Sequence, residues 1–496
     1  MRGKCKVCFW AAVSLLMALW LLPVCVRADT EGTCGNLTWE LDEAGTMRIS
    51  GNGPLMDERG MLGGLVYNHS NVKKVIIGEG VTAIGDHAFK DCYHMQTVSL
   101  PSTLQSIGEE AFLKCEELSS VTLPAGLREI GESAFRECSS LRSIVIPGGT
   151  EKIGEGAFMY CTSMDRAELQ KGQTTMVDFM FAKCYSLREV SLPEGLKTIG
   201  KRVFDTCHKL SVVSIPSTVS EIGQSAFSDT AITSIVIPDG MNKIPEAAFS
   251  LCRKLKSVKI PASVKTIEFH AFFACESLKR VELPETLRVL ENQSFQSSGL
   301  TSIVVPGSVK TVGAWAFTQC SKLKTVIIEE GVKKVGKQAF HQCRSLKAIL
   351  IPGSVKKIDY HAVGFKSQYV RYGITKIYGY KKTAAQKWAK KNRIPFVALK
   401  KLGKPGKGSV KNVKGGKIAV KWKKSANVEG YEIQYADNAA FTGKKTVKAP
   451  GAKTTKKTIS LKTGKTYYVR VRGYKKVSGL TYYSAWSGKK QVTVKK

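Results

Sequence analysis

The apolar positions of the chain fall into one phrase that repeats every 22 or 23 residues. In one copy Val98 and Leu100 alternate with Thr97 and Ser99, the two-residue period of a strand with one face in a core. Pro101 lacks the amide that a parallel ladder needs, so the strand ends there. Leu104 and Ile107 turn inward next, Gly108 permits a turn that a side chain resists, and Ala111 and Phe112 set a small and a large apolar body side by side. The phrase reads A-F-x-x-C-x-x-L-x-x-V-x-L/I-P-x-x-L/V-x-x-I-G. Phe89, Phe112, Phe135, Phe158, Phe181, Phe204, Phe227, Phe249, Phe272, Phe295, Phe317 and Phe340 mark twelve copies, and Val363 closes the row in a degenerate thirteenth. One unit cannot cover its own apolar side, so the units stack. The predicted architecture is a repeat solenoid of about thirteen coils with a parallel sheet, its strands about 4.8 Å apart and its length on the order of 60 Å.

Cysteine keeps the same phase. Cys92, Cys115, Cys138, Cys161, Cys184 and Cys207 stand 23 residues apart, and the series resumes at Cys252 and Cys275, then at Cys320 and Cys343. Where it is missing, at Ser228-Asp229-Thr230 and Ser297-Ser298, the turn is one residue shorter, so the cysteine fills space that the longer turn makes. The reading is a ladder of buried thiols. A chain of disulfides is the alternative for an exported protein, but equivalent side chains in a stack run parallel, which suits disulfide geometry badly. Single ligands per coil do not make a metal site.

This consensus resembles the BspA-like leucine-rich repeat family. The resemblance covers Val75 to about Val363 and places the repeats in 75–374. Cys34 to Leu41 and Met47 to Gly51 resemble that family's N-terminal cap hairpin, within 29–74; Ile377 to Tyr380, Thr383 to Asn392 and Ile394 to Phe396 resemble its closing strand, helix and strand, within 375–399. Caps cover the apolar ends and unpaired edges of a solenoid. One coil departs from the pattern: Gln170 replaces the proline and Gly172 to Thr175 lack the apolar residues, which predicts a looser or kinked coil.

Ahead of the cap, Arg2, Lys4 and Lys6 precede an apolar run from Val7 to Leu22, then Pro23 and the small-residue site around Val26-Arg27-Ala28. This predicts a secretory signal over 1–28 cleaved after Ala28, with a retained membrane anchor as the alternative. No second apolar stretch of that length occurs, so the mature chain is expected to be exported and to have no transmembrane span.

Composition shifts after Leu399. Residues 400–408 read as a polar linker, and short strands recur from Ser409 onward: Lys417 to Trp422, Tyr431 to Tyr435, Thr466 to Arg472 and Gln491 to Val494. Trp422, Leu461-x-x-Gly464-x-x-Tyr467 and Ser484-Ala485-Trp486-Ser487 together resemble a fibronectin type III domain over 409–496, an all-β sandwich in which Tyr467 fits the tyrosine corner with its hydroxyl tied back to the preceding chain. Residues 400–496 hold 24 Lys and 2 Arg against Glu429, Glu432 and Asp437, a net +23 of the chain's +36. Lysine without arginine suits a diffuse polyanion. The candidate polyanion-binding residues are Lys421, Lys423, Lys444, Lys445, Lys456, Lys457, Lys475 and Lys476. Nucleic acid is the weaker reading, because Tyr431, Tyr435, Tyr467 and Trp486 sit where a sandwich core needs them.

Chemistry is thin. Seven histidines are scattered; His87, His270 and His361 share one repeat phase, and an isolated histidine on a coil reads as a solvated side chain. No catalytic, metal or cofactor motif appears. Leu283-Pro284-Glu285-Thr286-Leu287 imitates a sortase signal without its glycine, in the phase of every repeat. What remains is a surface. The outward strand positions form a column of Ser99, Thr122, Val145, Glu168, Ser191, Ser214, Val236, Lys259, Glu282, Val304, Ile327 and Leu350. Val304, Ile327 and Leu350 are consecutive and apolar, a candidate partner site unless the helix near Thr383 or the C-terminal domain covers them. The expectation is a secreted or cell-surface, non-enzymatic scaffold. By resemblance it would bind protein ligands of the host matrix or of bacterial surfaces. A binder of anionic wall polymers and an accessory to a secreted hydrolase are the alternatives.

Overall fold

The computed structural model describes residues 26–27, 30–55, 71–366, 370, 373–439, 441 and 443–495. The predicted signal segment therefore lies outside the described residues, apart from Val26–Arg27. The chain is a parallel-sheet solenoid of about 14 turns with a C-terminal antiparallel β domain. It divides into two compact units, residues 1–241 with 245–253 and residues 242–244 with 254–496.

The first unit opens with an antiparallel cap: Glu31–Cys34 pairs with Leu37–Leu41, which pairs with Thr46–Gly51. Thr46–Gly51 then seeds the parallel ladder, setting Met47 beside Val75 and Ile49 beside Ile77; Val75 in turn lies beside Val98. A second ladder of two- to four-residue strands runs from Gly53–Leu55 through Val81–Ile84, Ser106–Ile107 and Glu129–Ile130 to Lys152–Ile153. Between the ladders the phenylalanines stack ring on ring, from Phe89 over Phe112 at 5.3 Å to Phe227 over Phe249 at 5.6 Å.

Most coils place two non-glycine residues at positive φ, for example Glu110 at 50° and Lys114 at 60°, flanking the buried Ala111-Phe112; the Phe158 coil has Gly156 and Tyr160 there. Gly108 has a different reason. A Cβ there would meet Asp86 N at 2.6 Å and Asp86 Oδ1 at 2.4 Å, so the glycine permits two coils to approach and not a left-handed turn. The thiols do more than fill space. Cys115 Sγ donates to Phe89 O at 3.2 Å, and Cys138, Cys161, Cys184 and Cys207 repeat the bond one coil at a time. Thr230 stands at that phase where the cysteine is missing, and its hydroxyl donates at 3.0 Å within its own coil, to Phe227 O, which also accepts from Cys252 Sγ at 3.0 Å. Cys92, Cys115, Cys138, Cys161, Cys184, Cys207, Cys252, Cys320 and Cys343 are buried free thiols. Burial pushes Cys252 and Cys320 up to about 12 and raises the others for which a shift is resolved (Cys115, Cys138, Cys161, Cys207 and Cys343) well above the ordinary cysteine value.

At the irregular coil the expected loosening is confined to one side. The first ladder passes through unbroken, Ser143–Ile146 to Arg166–Leu169 to Glu189–Ser191. The second stops: among the described residues no strand pairing joins Lys152–Ile153 to Thr175–Met176. Thr150 and Gln173 stand in the phase that Leu104, Leu127 and Leu196 fill elsewhere. Thr150 Oγ1 donates to Leu127 O at 3.2 Å, and the Gln173 amide donates to Pro147 O at 2.9 Å and Thr150 O at 2.7 Å. Polar side chains there satisfy carbonyls inside the coil.

The second unit holds two parallel ladders of its own. The column Val304, Ile327, Leu350, Tyr378 and Val397 is in register across Ser302–Val305, Thr325–Ile328, Ala348–Leu350, Lys376–Gly379 and Phe396–Ala398. Helix α1, Ala384–Lys391, closes the stack with Ala385 and Ala389 buried. The sandwich follows as β1 (Gly406–Val413), β2 (Lys417–Lys423), β3 (Gly430–Ala436), β4 (Lys445–Pro450), β5 (Lys456–Ser460), β6 (Thr466–Val477), β7 (Leu480–Tyr483) and β8 (Lys490–Thr493). One sheet is β1-β2-β5; the other is β4-β3-β6-β7 with β8 on β6. Two local expectations change. The 400–408 segment is no loose linker, since Leu402 is buried and Gly403 N donates to Ala426 O at 2.9 Å. The tied-back hydroxyl belongs to Tyr431, which accepts from Ser425 N at 2.8 Å and donates to Ala452 O at 3.3 Å, whereas Tyr467 meets Tyr435 edge-on at 6.2 Å.

Candidate functional site

Strand alternation gives each sheet of the sandwich an outer face, and the two faces differ in chemistry. On β6, Arg470 and Arg472 are two residues apart and therefore point the same way, opposite Gln434 and Glu432 of β3. They are the two arginines of residues 400–496. Phe441, Arg470, Trp486, Arg472 and Tyr483 interleave: the Arg470 guanidinium lies 4.1 Å from the Phe441 ring and 4.3 Å from the Trp486 ring, and Arg472 lies 4.3 Å from Trp486 and 3.5 Å from Tyr483. Arg472 also binds the buried Glu432 at 2.7 Å, and Arg470 hydrogen-bonds Gln434 through Nε at 2.7 Å.

This face is docked on the last coils of the same unit. Arg470 Nη2 donates to Glu285 Oε2 at 2.6 Å and Lys444 Nζ to Glu285 Oε1 at 2.5 Å, with Arg472 3.6 Å from Glu329. Burial raises the Glu285 carboxyl, but the hydrogen bonds from Lys444 and Arg470 outweigh it, and the group sits below the ordinary glutamate value. Beside these ion pairs the edge strand β7 lies against Thr325–Ile328 and Ala348–Leu350. Leu350 and Tyr378 belong to one apolar cluster with Trp422, Tyr431, Val471 and Tyr482 of the sandwich, and Ile327 and Val397 pack on its margin.

The candidate patch is therefore divided. Val304 is 44% exposed and open to a partner, Ile327 is half-buried, and Leu350 is 5% exposed beneath the sandwich. As a partner surface, Ile327 and Leu350 are corrected: the chain's own domain occupies them, because burying apolar side chains there outweighs leaving them in water.

The opposite face carries the lysines. Lys421 of β2 stands directly across from Lys456 of β5, and Lys423 extends the same row; all three are exposed. Lys411 and Lys417 share that face, on β1 and β2. Lys445 and Lys457 are exposed on β4 and β5, and Lys475 and Lys476 lie near the β6–β7 turn, the former half-buried. Among the described residues, Lys444 alone of the eight candidates is ion-paired within the chain, to Glu285.

In the first unit a shallow groove crosses the turns that lead into the strands. Gln96, Ser119, Arg142 and Asp165 line one side at a single repeat phase, and Glu117, Ser140, Ser163 and Ser186 the other, so successive coils offer hydrogen-bonding groups at the ladder spacing. Two histidines depart from the expected solvation: His341 and His361 are buried, and burial lowers the His361 value. Among the described residues no group of three His, Cys, Asp or Glu side chains forms a metal site, and no helix is long and apolar enough to cross a membrane.

The repeat region matches the family described as BspA type Leucine rich repeat region, with six copies and matched residues 62–178, 130–256 and 242–369. The chain belongs to that family. Residues 403–487 match a fibronectin type III domain. A leucine-rich repeat protein from Bacteroides ovatus shares the repeat fold at 24% identity and a TM-score of 0.52, over 70% of this chain and 99% of that one. A leucine rich cell surface protein from Faecalibacterium prausnitzii aligns at 24% identity and 0.37, over 70% and 98%. The pneumococcal vaccine antigen PcpA aligns at 16% identity and 0.45, over 76% and 99%. No curated protein matches the chain. Sequence reasoning missed the docking acid Glu285; the one hint lay on the other side of the contact, in Arg470-x-Arg472, the two arginines of a lysine-rich domain at strand spacing.

Proposed function

We propose that the protein is a secreted or cell-surface bacterial scaffold that binds a protein ligand without catalysis. The observation that carries this is the groove of the first unit, where side chains of one phase from consecutive coils build a continuous hydrogen-bonding surface. An extended partner segment suits such a surface, since its free backbone amides and carbonyls can meet polar side chains from several successive coils. The neighbouring Val145, 44% exposed on the outward column, adds apolar contact. The test is capture of purified host matrix proteins and of whole bacterial cells by the full chain and by an R142E/D165K variant. Salt-resistant capture that the variant loses supports the reading; equal capture by both overturns it.

A second reading has its own support. With the arginine face docked, the sandwich turns Lys411, Lys417, Lys421, Lys423 and Lys456 to solvent, a face suited to an anionic wall polymer. Retention on cell walls that falls steeply with salt, and falls further in K423Q/K456Q, supports it. Salt-insensitive retention speaks against it.

A further inference from the structure

The edge of the sandwich holds a cleft of about 580 Å³ between the start of β1, β2 and the segment entering β8. Its floor is apolar: Val410, Val420, Trp422, Val469 and Val471. Its rim is Lys404, Lys407, Lys489 and Lys490, all exposed, and among the described residues none of these four pairs with a carboxylate. The three acids of residues 400–496 are engaged elsewhere: Glu429 accepts from Lys476 N, Glu432 from Arg472 and Asp437 from Asn438. The rim is thus positive without compensation. At the floor, Trp422 is 4% exposed and its Nε1 is buried with no hydrogen-bond partner among the described residues. An indole N–H held away from water without an acceptor is costly, and native structures keep few of them. Ser487, beside it on the wall, is already committed, its hydroxyl accepting from Val471 N at 2.9 Å.

We infer that this cleft binds one acid-bearing sugar unit of a linear anionic glycan, with a ligand oxygen accepting from Trp422 Nε1 and the charged substituent held between Lys407 and Lys489. The volume is within the roughly 300–1,000 Å³ usual for small-molecule sites and far exceeds what a bare inorganic anion fills. The valine floor suits the C–H face of a sugar ring, and the lysines suit either a carboxylate or a phosphate. The inference rests on the polyanion reading and locates it in one place.

The experiment labels the indole nitrogens of the full chain with ¹⁵N, assigns Trp422 by W422F, and titrates three probes. These are tetragalacturonate, a phosphorylated mannan tetrasaccharide and neutral maltotetraose. Expected is a downfield shift of the Trp422 indole proton with one or both acidic probes and none with maltotetraose. K407Q/K489Q then weakens binding at least about tenfold, while K445Q/K456Q, on exposed strand positions away from the cleft, leaves it within about twofold. The acidic probe that binds more tightly identifies carboxylate or phosphate as the natural substituent. Binding with no Trp422 shift, lost in K445Q/K456Q and kept in K407Q/K489Q, overturns the cleft and leaves the lysine face. Binding of neither acidic probe overturns the cleft and the polyanion reading together.

Discussion

Glu285 and Arg470 are 185 residues apart and meet at 2.6 Å. One stands on a turn of the solenoid and the other in the middle strand of a sandwich sheet. Their bond orients the C-terminal domain on the last coils, and with it decides which lysines face outward. Glu285→Gln keeps the shape and removes the charge, leaving one acceptor oxygen for Arg470 and Lys444 and turning an amide NH2 toward the other cation. The expected loss is about 1–3 kcal/mol, toward the lower end because Glu285 keeps about a third of its side chain in water. Hydrogen exchange in β6 and β7 is the readout. Faster exchange there, with the first unit unchanged, is expected; uniform exchange would mean that the apolar cluster alone holds the domain.

The same carboxyl sets a pH dependence. Its value is lower in the folded chain than in the unfolded one, so its contribution is fully present above the ordinary glutamate value near 4.5. It is lost as pH falls through the depressed folded value. Docking should therefore be constant from pH 7 to pH 5 and weaken only in more acid solution, and E285Q should abolish that acid limb. Limited proteolysis around residues 400–408 across a pH series checks this.

The thiol ladder makes a chemical prediction. Buried thiols that donate to carbonyls and whose ionisation is pushed up are poor nucleophiles. Peptide mapping after iodoacetamide treatment at pH 8 should show Cys115, Cys138, Cys161, Cys207, Cys252, Cys320 and Cys343 unmodified in the folded chain and alkylated in denaturant. Cys138→Ala should cost about 1–3 kcal/mol, for the lost contact and the carbonyl left short of a donor. Cys138→Ser should cost less, because its hydroxyl can still donate to Phe112 O.

Much of this architecture was legible before any coordinates. A 23-residue period fixes strand, turn and stacking together, since every coil must bury the same face against identical neighbours. The caps followed from the family resemblance, and the strands around Trp422, Tyr431 and Thr466 from alternation and turns. The second strand ladder was not visible, because two-residue strands such as Ser106–Ile107 carry no alternation to read, whereas Gln170 and Gly172 to Thr175 announced the irregular coil beside which it breaks. Glu285 escaped for another reason. Its local motif is that of every repeat, and its meaning arises only from Arg470, far along the chain. Leu350 was ambiguous by nature: an apolar residue on a sheet face reads alike whether a partner or the chain itself covers it.

Positive φ supplies a stabilising prediction. Ala247 sits at φ 52°, which a residue with a Cβ adopts at a cost. Ala247→Gly should raise stability by about 0.5–1 kcal/mol, a reversal of the usual penalty for glycine. Thermal unfolding of the two proteins side by side measures it.

The central claim is that the repeat surface itself holds a protein ligand. Surface plasmon resonance of the full chain over immobilised matrix proteins, at low and at high salt, tests it most directly. The account predicts at least one surface that retains the chain at 0.5 M salt, with retention lost in R142E/D165K and kept in K423Q/K456Q. Retention that vanishes with salt and follows only the lysine variant would contradict it.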